Sequence, residues 1–214
     1  MKRWLVLLVF VATSAFGSQC PQFYPGGKPL EVANTVELCN SFYVILFDPS
    51  HKAAILTSTT IAPNKPMPPR DDAFRADPRV PGGPKPADYV NTGFDKGHMT
   101  PAGDAATPQQ SNDTFWMTNM TPQEPTLNRR AWKDLEIFTR NMATQQNKTL
   151  YVVTIAIYNQ PKTINNGIPI PAAYWKIIAG GDKPRYYYAP NEKNGQVREV
   201  EGMNFATIIS TQKF

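Results

Sequence analysis

The segment Asn91–Asp104, NTGFDKGHMTPAGD, is the part of this chain from which its fold and chemistry are first inferred. His98 is one of only two histidines in the chain, and it follows a glycine in polar surroundings. Histidine suits general-base chemistry near neutral pH because its unperturbed pKa is about 6.5. A lone histidine is more often structural, so His98 indicates a catalytic site only if it has partners. His51, in a turn-like break between two candidate strands, is interpreted as structural.

A long amphipathic helix is predicted from about Pro125 to Gln145, with Asn147 as its stop signal. Its apolar residues recur at spacings of four, four, three and four. At about 100° per residue, these spacings place them in a stripe about 80° wide. The stripe predicts one buried face, formed by Leu127, Ala131, Leu135, Phe138 and Met142.

Two polar residues of this helix, Asn128 and Glu136, lie eight positions apart and are expected to overlook one face beside the stripe. Their oxygens are hard ligands of the kind that Mg²⁺ prefers, and Mg²⁺ accepts only one or two protein ligands while keeping several waters. Alternatively, Asn128 is a helix-cap residue and Glu136 is a solvated partner of Arg140. Taken singly, neither residue decides between these interpretations.

Two segments together resemble the DNA/RNA non-specific endonuclease family: Thr92–Asp104, TGFDKGHMTPAGD, and Phe115–Glu136, FWMTNMTPQEPTLNRRAWKDLE. The family's first motif reads Asp-Arg-Gly-His, and its second reads Ser-Asn, Pro-Gln, Asn, Trp and Leu-Glu. The matching residues are Asp95-Lys96-Gly97-His98, Thr118-Asn119, Pro122-Gln123, Asn128, Trp132 and Leu135-Glu136. The resemblance implies the ββα-metal fold shared with mitochondrial endonuclease G and secreted bacterial nucleases.

The same resemblance implies a role for most of the matched residues. His98 would be the general base that activates water, and Asn128 would be the sole direct protein ligand of Mg²⁺, for which Mn²⁺ can substitute. Glu136 would hold the waters of the metal. Asn119 would brace the site without binding metal, and Asp95 is carried over as a site residue without a separate role.

One departure from the family pattern is Lys96, which stands where the family usually has arginine. Lysine keeps the positive charge but loses the planar two-pronged grip on phosphate, so activity is expected to survive with weaker phosphate positioning. A second family arginine, which neutralises the scissile phosphate, has two candidates here, Arg70 and Arg75. Arg70 is preferred, and the alternative is that both are solvated loop charges.

The function implied is Mg²⁺-dependent endonucleolytic cleavage of DNA and RNA, with 5′-phosphate products and little sequence specificity. The expected partners are nucleic acids bound through their phosphates, and an inhibitor protein is compatible with the sequence but not indicated by it. One alternative is a catalytically impaired nucleic-acid-binding protein on the same fold, with Lys96 marking decay of the site. Another alternative is a zinc hydrolase that uses His98 and Asp104. The chain has too few histidines to supply the ligands of such a zinc site.

The first 18 residues resemble a secretory signal peptide, with Lys2 and Arg3 followed by a nine-residue apolar run, Trp4–Ala12. Such a run is too short for a membrane span, which needs about 20 residues, and a lipoprotein anchored at Cys20 is ranked lower. Residues 19–214 are predicted to form one endonuclease domain that is exported, periplasmic or secreted, without stable membrane association. Its two cysteines, Cys20 and Cys39, are predicted to form a disulfide.

The predicted fold class is α+β: a single domain with a mainly antiparallel sheet, a ββα-metal motif and one long amphipathic helix. Residues 61–90 contain eight prolines and are predicted to form an irregular surface loop. A short helix is predicted from Thr107 to Met117, residues 190–202 are read as a polar connection, and 205–209 as a last apolar segment. The predicted strands are Ser41–Asp48, Ala53–Ile61, Leu150–Tyr158, Ala173–Ala179 and Arg185–Ala189.

Overall fold

A seven-stranded antiparallel sheet forms the centre of the molecule, in a computed structural model that describes residues 17–213. The strand order is β1-β2-β3-β6-β7-β8-β9, and all neighbours are antiparallel. The strands are β1 (Val36–Cys39), β2 (Tyr43–Asp48), β3 (Ala53–Ile61), β6 (Leu150–Ile157), β7 (Ala173–Ala179), β8 (Arg185–Pro190) and β9 (Arg198–Glu199). The predicted α+β class with a mainly antiparallel sheet is confirmed.

The five predicted strands are all present, and their ends differ from the prediction by two residues at most. Every residue of β2 is buried, because the sheet is covered on both faces. Two short strands of this sheet, β1 and β9, were missed. Both residues of β9 are exposed, so the apolar pattern that reveals a strand is absent there, and reading 190–202 as connection was wrong at this point. The last apolar segment is a helix, α4 (Phe205–Ile209).

The connection between β3 and β6, residues 62–149, covers one face of the sheet and contains the family-like segments. It includes a separate hairpin of β4 (Asp95–His98) and β5 (Met120–Gln123). Between these strands lies α1 (Pro108–Asp113), capped by the Thr107 hydroxyl, which accepts a bond from the Gln110 amide. The predicted helix to Met117 was therefore too long, since a 3₁₀ turn, Met117–Asn119, follows.

The long helix is interrupted by a π turn. It consists of α2 (Pro125–Leu127), the π turn Asn128–Trp132 and α3 (Lys133–Gln146). It ends at the predicted stop, Asn147, which adopts the left-handed conformation. The buried side chains are Leu127, Trp132, Leu135, Thr139, Met142 and Ala143. They pack on the sheet face that carries Ile45, Ile55, Val152 and Tyr174. Phe138 was wrongly placed in the buried stripe: it lies at the edge and is 41% exposed.

The opposite face of the sheet is covered by α4 and by coil near both ends of the described chain. Leu46, Leu56, Val153 and Trp175 form its core with Ile208 of α4. The N-terminal coil is tied down by a disulfide between Cys20 and Cys39, as predicted. In the chain-entropy model, closing a loop of this length stabilises the fold by about 3 kcal/mol.

The structure bears only in part on the predicted signal peptide and on the predicted lack of stable membrane association. The predicted signal peptide, residues 1–18, lies outside residues 17–213 except for its last two positions. Within the described part of the chain, no helix is both long and apolar enough to cross a membrane.

Candidate active site

One cleft of about 500 Å³ lies between the β4–β5 hairpin, the long helix and the proline-rich loop. Six of the predicted site residues line it: Arg70, Asp95, Lys96, His98, Asn128 and Glu136. The cleft also contains Arg129, Lys133 and Arg140, so its lining has five cationic and two acidic side chains. Asn119 lies behind this surface and is completely buried. The tertiary structure thus brings together residues that are up to 66 positions apart in sequence.

His98, the last residue of β4, presents its imidazole to the cleft from an aromatic pocket. Its ring centroid lies 5.2 Å from that of Phe115 and 5.8 Å from that of Phe74. Its Nε2 is buried and has no hydrogen-bond partner among the residues described. Burial lowers the pKa of His98 to about 3, with a further contribution from the Arg70 guanidinium. The imidazole is therefore neutral near pH 7, which is the form that can accept a proton.

Asn119 holds the chain at both ends of segment 101–113, which follows His98 and contains α1. Its Oδ1 accepts a bond of 2.9 Å from the Thr100 amide, and its Nδ2 donates to the carbonyls of Thr100 (2.8 Å) and Thr114 (2.9 Å). The Met99 amide also donates to the Asn119 carbonyl at 2.9 Å. These bonds satisfy a buried amide and fix the backbone that carries the imidazole.

Gly97 is required by the close approach of the two strands of the hairpin. A Cβ at this position would lie 2.3 Å from Oε1 and 2.4 Å from Cβ of Gln123, a contact that needs a shift of the β5 backbone. We expect Gly97→Ala to destabilise the protein by about 1–3 kcal/mol and to lower activity by about 100-fold through misplacement of His98. Thermal unfolding and cleavage assays measure both effects, and wild-type values for Gly97→Ala would contradict this interpretation.

Asn128 is tied to the hairpin by a hydrogen bond from its Nδ2 to Oδ2 of Asp95, 2.9 Å long. An ionised carboxylate only accepts hydrogen bonds, so Asp95 selects the amide orientation in which Asn128 Oδ1 points away from it. Hydrogen bonds from Arg129 and Asn128 outweigh the effect of partial burial and hold the pKa of Asp95 below its usual value. The helix cap is made by Glu124 instead, whose carboxylate accepts from the amides of Thr126 and Leu127.

The π turn explains why Asn128 and Glu136 line the same cleft. A π turn contains one residue more than an α turn, so a spacing of eight residues acts like about seven, close to two full turns. On a regular α-helix the two side chains would diverge by about 80°. Both therefore present oxygens to one side of the cleft, which is a donor set suited to a hydrated divalent cation.

Glu136 is half-buried above a cluster of charges. The sequence offered an ion pair between Glu136 and Arg140 as an alternative, but the structure does not contain it. Arg140 Nη1 instead lies 3.0 Å from Asp104 Oδ1 and forms an ion pair with that carboxylate. Burial raises the pKa of Glu136 to about 7; Lys176 opposes this shift, and the Asp104 carboxylate adds to it. Lys176 itself is buried, donates to Thr154 Oγ1 at 3.0 Å and lies 4.8 Å from the centre of the Trp132 ring.

The raised pKa of Glu136 predicts a pH-dependent stability of the metal-free protein. A carboxyl whose pKa is higher in the folded state stabilises the fold at low pH, and this contribution is lost as pH rises through about 7. At pH 8.5 in EDTA, we expect Glu136→Gln to have a free energy of unfolding roughly 1–2 kcal/mol higher than wild type, after allowance for partial exposure of Glu136. The variant should therefore unfold at a higher temperature. At pH 4.5 the two melting temperatures should converge; an equal difference at both pH values would argue against the shift.

The two candidate phosphate-binding arginines are separated by the structure. The Arg70 guanidinium lines the cleft, 5.3 Å from the Phe115 ring centre, and pairs with Asp72. Arg75 instead stacks on Trp116 at 3.8 Å and does not line the cleft. Lys96 does line the cleft, with its Nζ 4.9 Å from the Phe74 ring centre.

Sequence reasoning missed several charged residues of this region. Arg129 and Lys133 had a usable signal, because they follow Asn128 on the same helix. Lys176 had a weaker one: a lysine within the apolar strand AYWKIIA is unusual, because burying a charge is costly. No sequence signal linked Asp104 to Arg140, whose ion pair depends on the tertiary structure.

The comparisons with known proteins point in one direction. Human mitochondrial endonuclease G is 30% identical over 173 residues, 70% of this chain and 58% of the relative. A nuclease of Nostoc sp. is 36% identical over 119 residues, 54% of this chain and 43% of the relative. A nuclease of Serratia marcescens is 31% identical over 109 residues, 46% of this chain and 41% of the relative. These matches span about half the length of the relatives.

A solved structure of the EndoG/EndoGI complex, concerned with the mechanism of EndoG inhibition, has the same fold. Its TM-score is 0.69, over 84% of this chain and 82% of that chain, at 24% sequence identity. The family model described as DNA/RNA non-specific endonuclease matches residues 21–209, which is nearly the whole described domain. By this match, and in agreement with the motifs that meet in the cleft, the chain belongs to the DNA/RNA non-specific endonuclease family.

Proposed function

We propose that this protein is an exported, Mg²⁺-dependent endonuclease that hydrolyses phosphodiester bonds in DNA and RNA without strong sequence specificity. The observation that supports this most directly is the composition of one cleft. A neutral imidazole, His98, borders it together with the oxygen-bearing pair Asn128 and Glu136, and cationic side chains surround them. A base, a metal-binding face and phosphate-neutralising charge are what phosphodiester hydrolysis requires.

The residues present suit a hydrated Mg²⁺ ion. Asp95 orients the Asn128 amide so that its oxygen is available as a ligand, and the Glu136 carboxylate can accept hydrogen bonds from metal-bound waters. The Glu136 side chain lines the cleft and makes no hydrogen bond or ion pair with protein groups within residues 17–213, so its oxygens are available for this role. Mn²⁺, which also favours oxygen ligands, should substitute.

Each protein group then has a defined task in the reaction. His98 accepts the proton of the attacking water as the water oxygen bonds to phosphorus. The bond from phosphorus to the 3′-oxygen breaks, and the leaving oxygen takes up a proton from water, which gives 5′-phosphate and 3′-hydroxyl ends. Arg70 and Lys96 offset the negative charge that develops on the phosphate. A bound Mg²⁺, with Asn128 as its ligand and Glu136 accepting hydrogen bonds from its waters, would supply charge that stabilises the leaving oxygen.

Recognition through phosphates also accounts for the proposed lack of sequence preference. Most of the charged residues that line the cleft are arginine and lysine, whose contacts to the nucleic-acid backbone carry no base information. Binding should therefore weaken as salt increases. An inhibitor protein that covers this cleft is a partner compatible with the proposal.

Incubation of the mature protein with plasmid DNA and with RNA, in Mg²⁺, Mn²⁺ or EDTA, tests the proposed activity. Cleavage of both substrates with either metal and none in EDTA is expected, and end-labelling should find 5′-phosphates. A gel shift without cleavage would instead favour the impaired binding protein suggested by Lys96. Sequencing the N-terminus of protein recovered from the periplasm and from the medium tests the proposed export. The Cys20–Cys39 disulfide supports export, because disulfides persist in oxidising compartments.

A further inference from the structure

Arg129, which none of the family motifs includes, connects the two halves of the site. Its Nη2 donates to Asp95 Oδ1 at 2.6 Å and its Nε to Asp95 Oδ2 at 2.8 Å, a two-pronged grip on the carboxylate. The same Oδ2 accepts the Nδ2 of Asn128. Asp95 belongs to β4, whereas Asn128 and Arg129 are consecutive residues of the π turn. The carboxylate is therefore held from two adjacent helix positions.

The orientation of the Asn128 amide is the property that this arrangement controls. The oxygen and nitrogen of an amide have nearly the same shape, so only the polarity of the neighbours distinguishes the two flips. With Oδ1 toward the cleft the residue can bind a cation, and with Nδ2 there it cannot. Asp95 selects the first flip only while its carboxylate stays beside Asn128. At 18% side-chain exposure, it has room to turn toward solvent or the cleft.

We propose that Arg129 is a positioning residue for the metal site, which fixes the Asp95 carboxylate so that Asp95 presents the Asn128 oxygen to the cation. This inference rests on the proposed Mg²⁺ dependence and extends it to a residue outside the motifs. Arg129 acts through Asp95 and makes no contact with the metal. Outer partners of this kind commonly change metal affinity by about 10–100-fold.

Lys133 provides a matched control for the charge of Arg129. It is exposed, lines the same cleft from the same helix and carries the same charge, and no hydrogen bond or ion pair joins it to Asp95 in the described structure. Removing either cation lowers the positive potential near the site, which by itself favours Mg²⁺ binding. Only removal of Arg129 also releases Asp95.

The experiment measures the Mg²⁺ requirement of each variant in two ways. One is the Mg²⁺ concentration that gives half-maximal plasmid cleavage, and the other is the Mg²⁺ concentration that gives half of the Mg²⁺-induced rise in melting temperature. Arg129→Ala is expected to raise both midpoints about tenfold. Lys133→Ala should leave both midpoints unchanged or lower them. Arg129→Lys keeps the charge but cannot make the two-pronged contact, so its midpoints should lie between those of wild type and Arg129→Ala. Because the Arg129 side chain is 70% exposed, the alanine variant should fold normally.

A double-mutant cycle separates action through Asp95 from any independent effect. If Arg129 works through Asp95, adding Arg129→Ala to Asp95→Ala changes neither midpoint further. Equal midpoints for Arg129→Ala and Lys133→Ala, or additive effects in the cycle, would overturn the inference while wild-type cleavage leaves the proposed function intact. If wild type shows neither Mg²⁺-dependent cleavage nor Mg²⁺-dependent stabilisation, the proposed function fails and this inference fails with it.

Discussion

His98→Ala is expected to lower the rate of phosphodiester cleavage by about 10²–10⁴-fold, the usual contribution of a general base. The imidazole is the proposed general base, held between Phe74 and Phe115 with its pKa lowered to about 3 by burial. Alanine leaves no group there that can take the proton of the attacking water. Mg²⁺-induced stabilisation should persist, since the Asn128 and Glu136 side of the cleft is untouched. Cleavage assays and melting curves of the same preparation measure the two properties.

His51→Ala is the matched control for this variant. His51 lies in the turn between β2 and β3, where its Nδ1 contacts Asp48 Oδ2 at 2.7 Å, and it does not line the cleft. The His51→Ala variant should cleave at close to the wild-type rate. Loss of activity in both histidine variants, or near-normal cleavage by His98→Ala with an intact fold, would rule out His98 as the general base.

Asn128→Ala is expected to have the second large effect, at the metal site. It removes the one proposed protein ligand, so the Mg²⁺ requirement should rise by at least about 100-fold, and cleavage at millimolar Mg²⁺ should be nearly abolished. The Mg²⁺-induced rise in melting temperature should vanish in parallel. Binding of nucleic acid in EDTA should be almost unchanged, because the cationic residues of the cleft remain.

Asn128→Asp sharpens the same test. The aspartate keeps an oxygen ligand but loses the Nδ2 donor and faces the Asp95 carboxylate, from which the amide was 2.9 Å away. Repulsion between the two carboxylates should turn one of them toward the cleft, so partial metal binding with a lower cleavage rate is expected. Full Mg²⁺ response of Asn128→Ala would show that the cation binds elsewhere.

Five strands of the large sheet and the long helix could be predicted because their patterns are local. The hairpin of β2 and β3 follows from two apolar runs around a turn, and the stop at Asn147 follows from its tolerance of the left-handed conformation. The edge strand β9 could not be predicted, since an exposed two-residue strand has no apolar pattern. Phe138 was misassigned because a regular 100° period counted it in the stripe, whereas the buried face runs through Leu135, Thr139 and Met142.

Apolar patterning, residue types and motif spacing in the sequence alone predicted the α+β class, the paired cysteines and six of the residues that line the cleft. Tertiary structure decided which of the predicted site residues meet. It places Arg70 in the cleft and Arg75 on Trp116, and it adds Arg129 to the site through Asp95. The π turn that aligns Asn128 with Glu136 also has no sequence signature in this chain. The physical reason is that periodicity reports burial along one element, whereas a site depends on distances between groups on different elements.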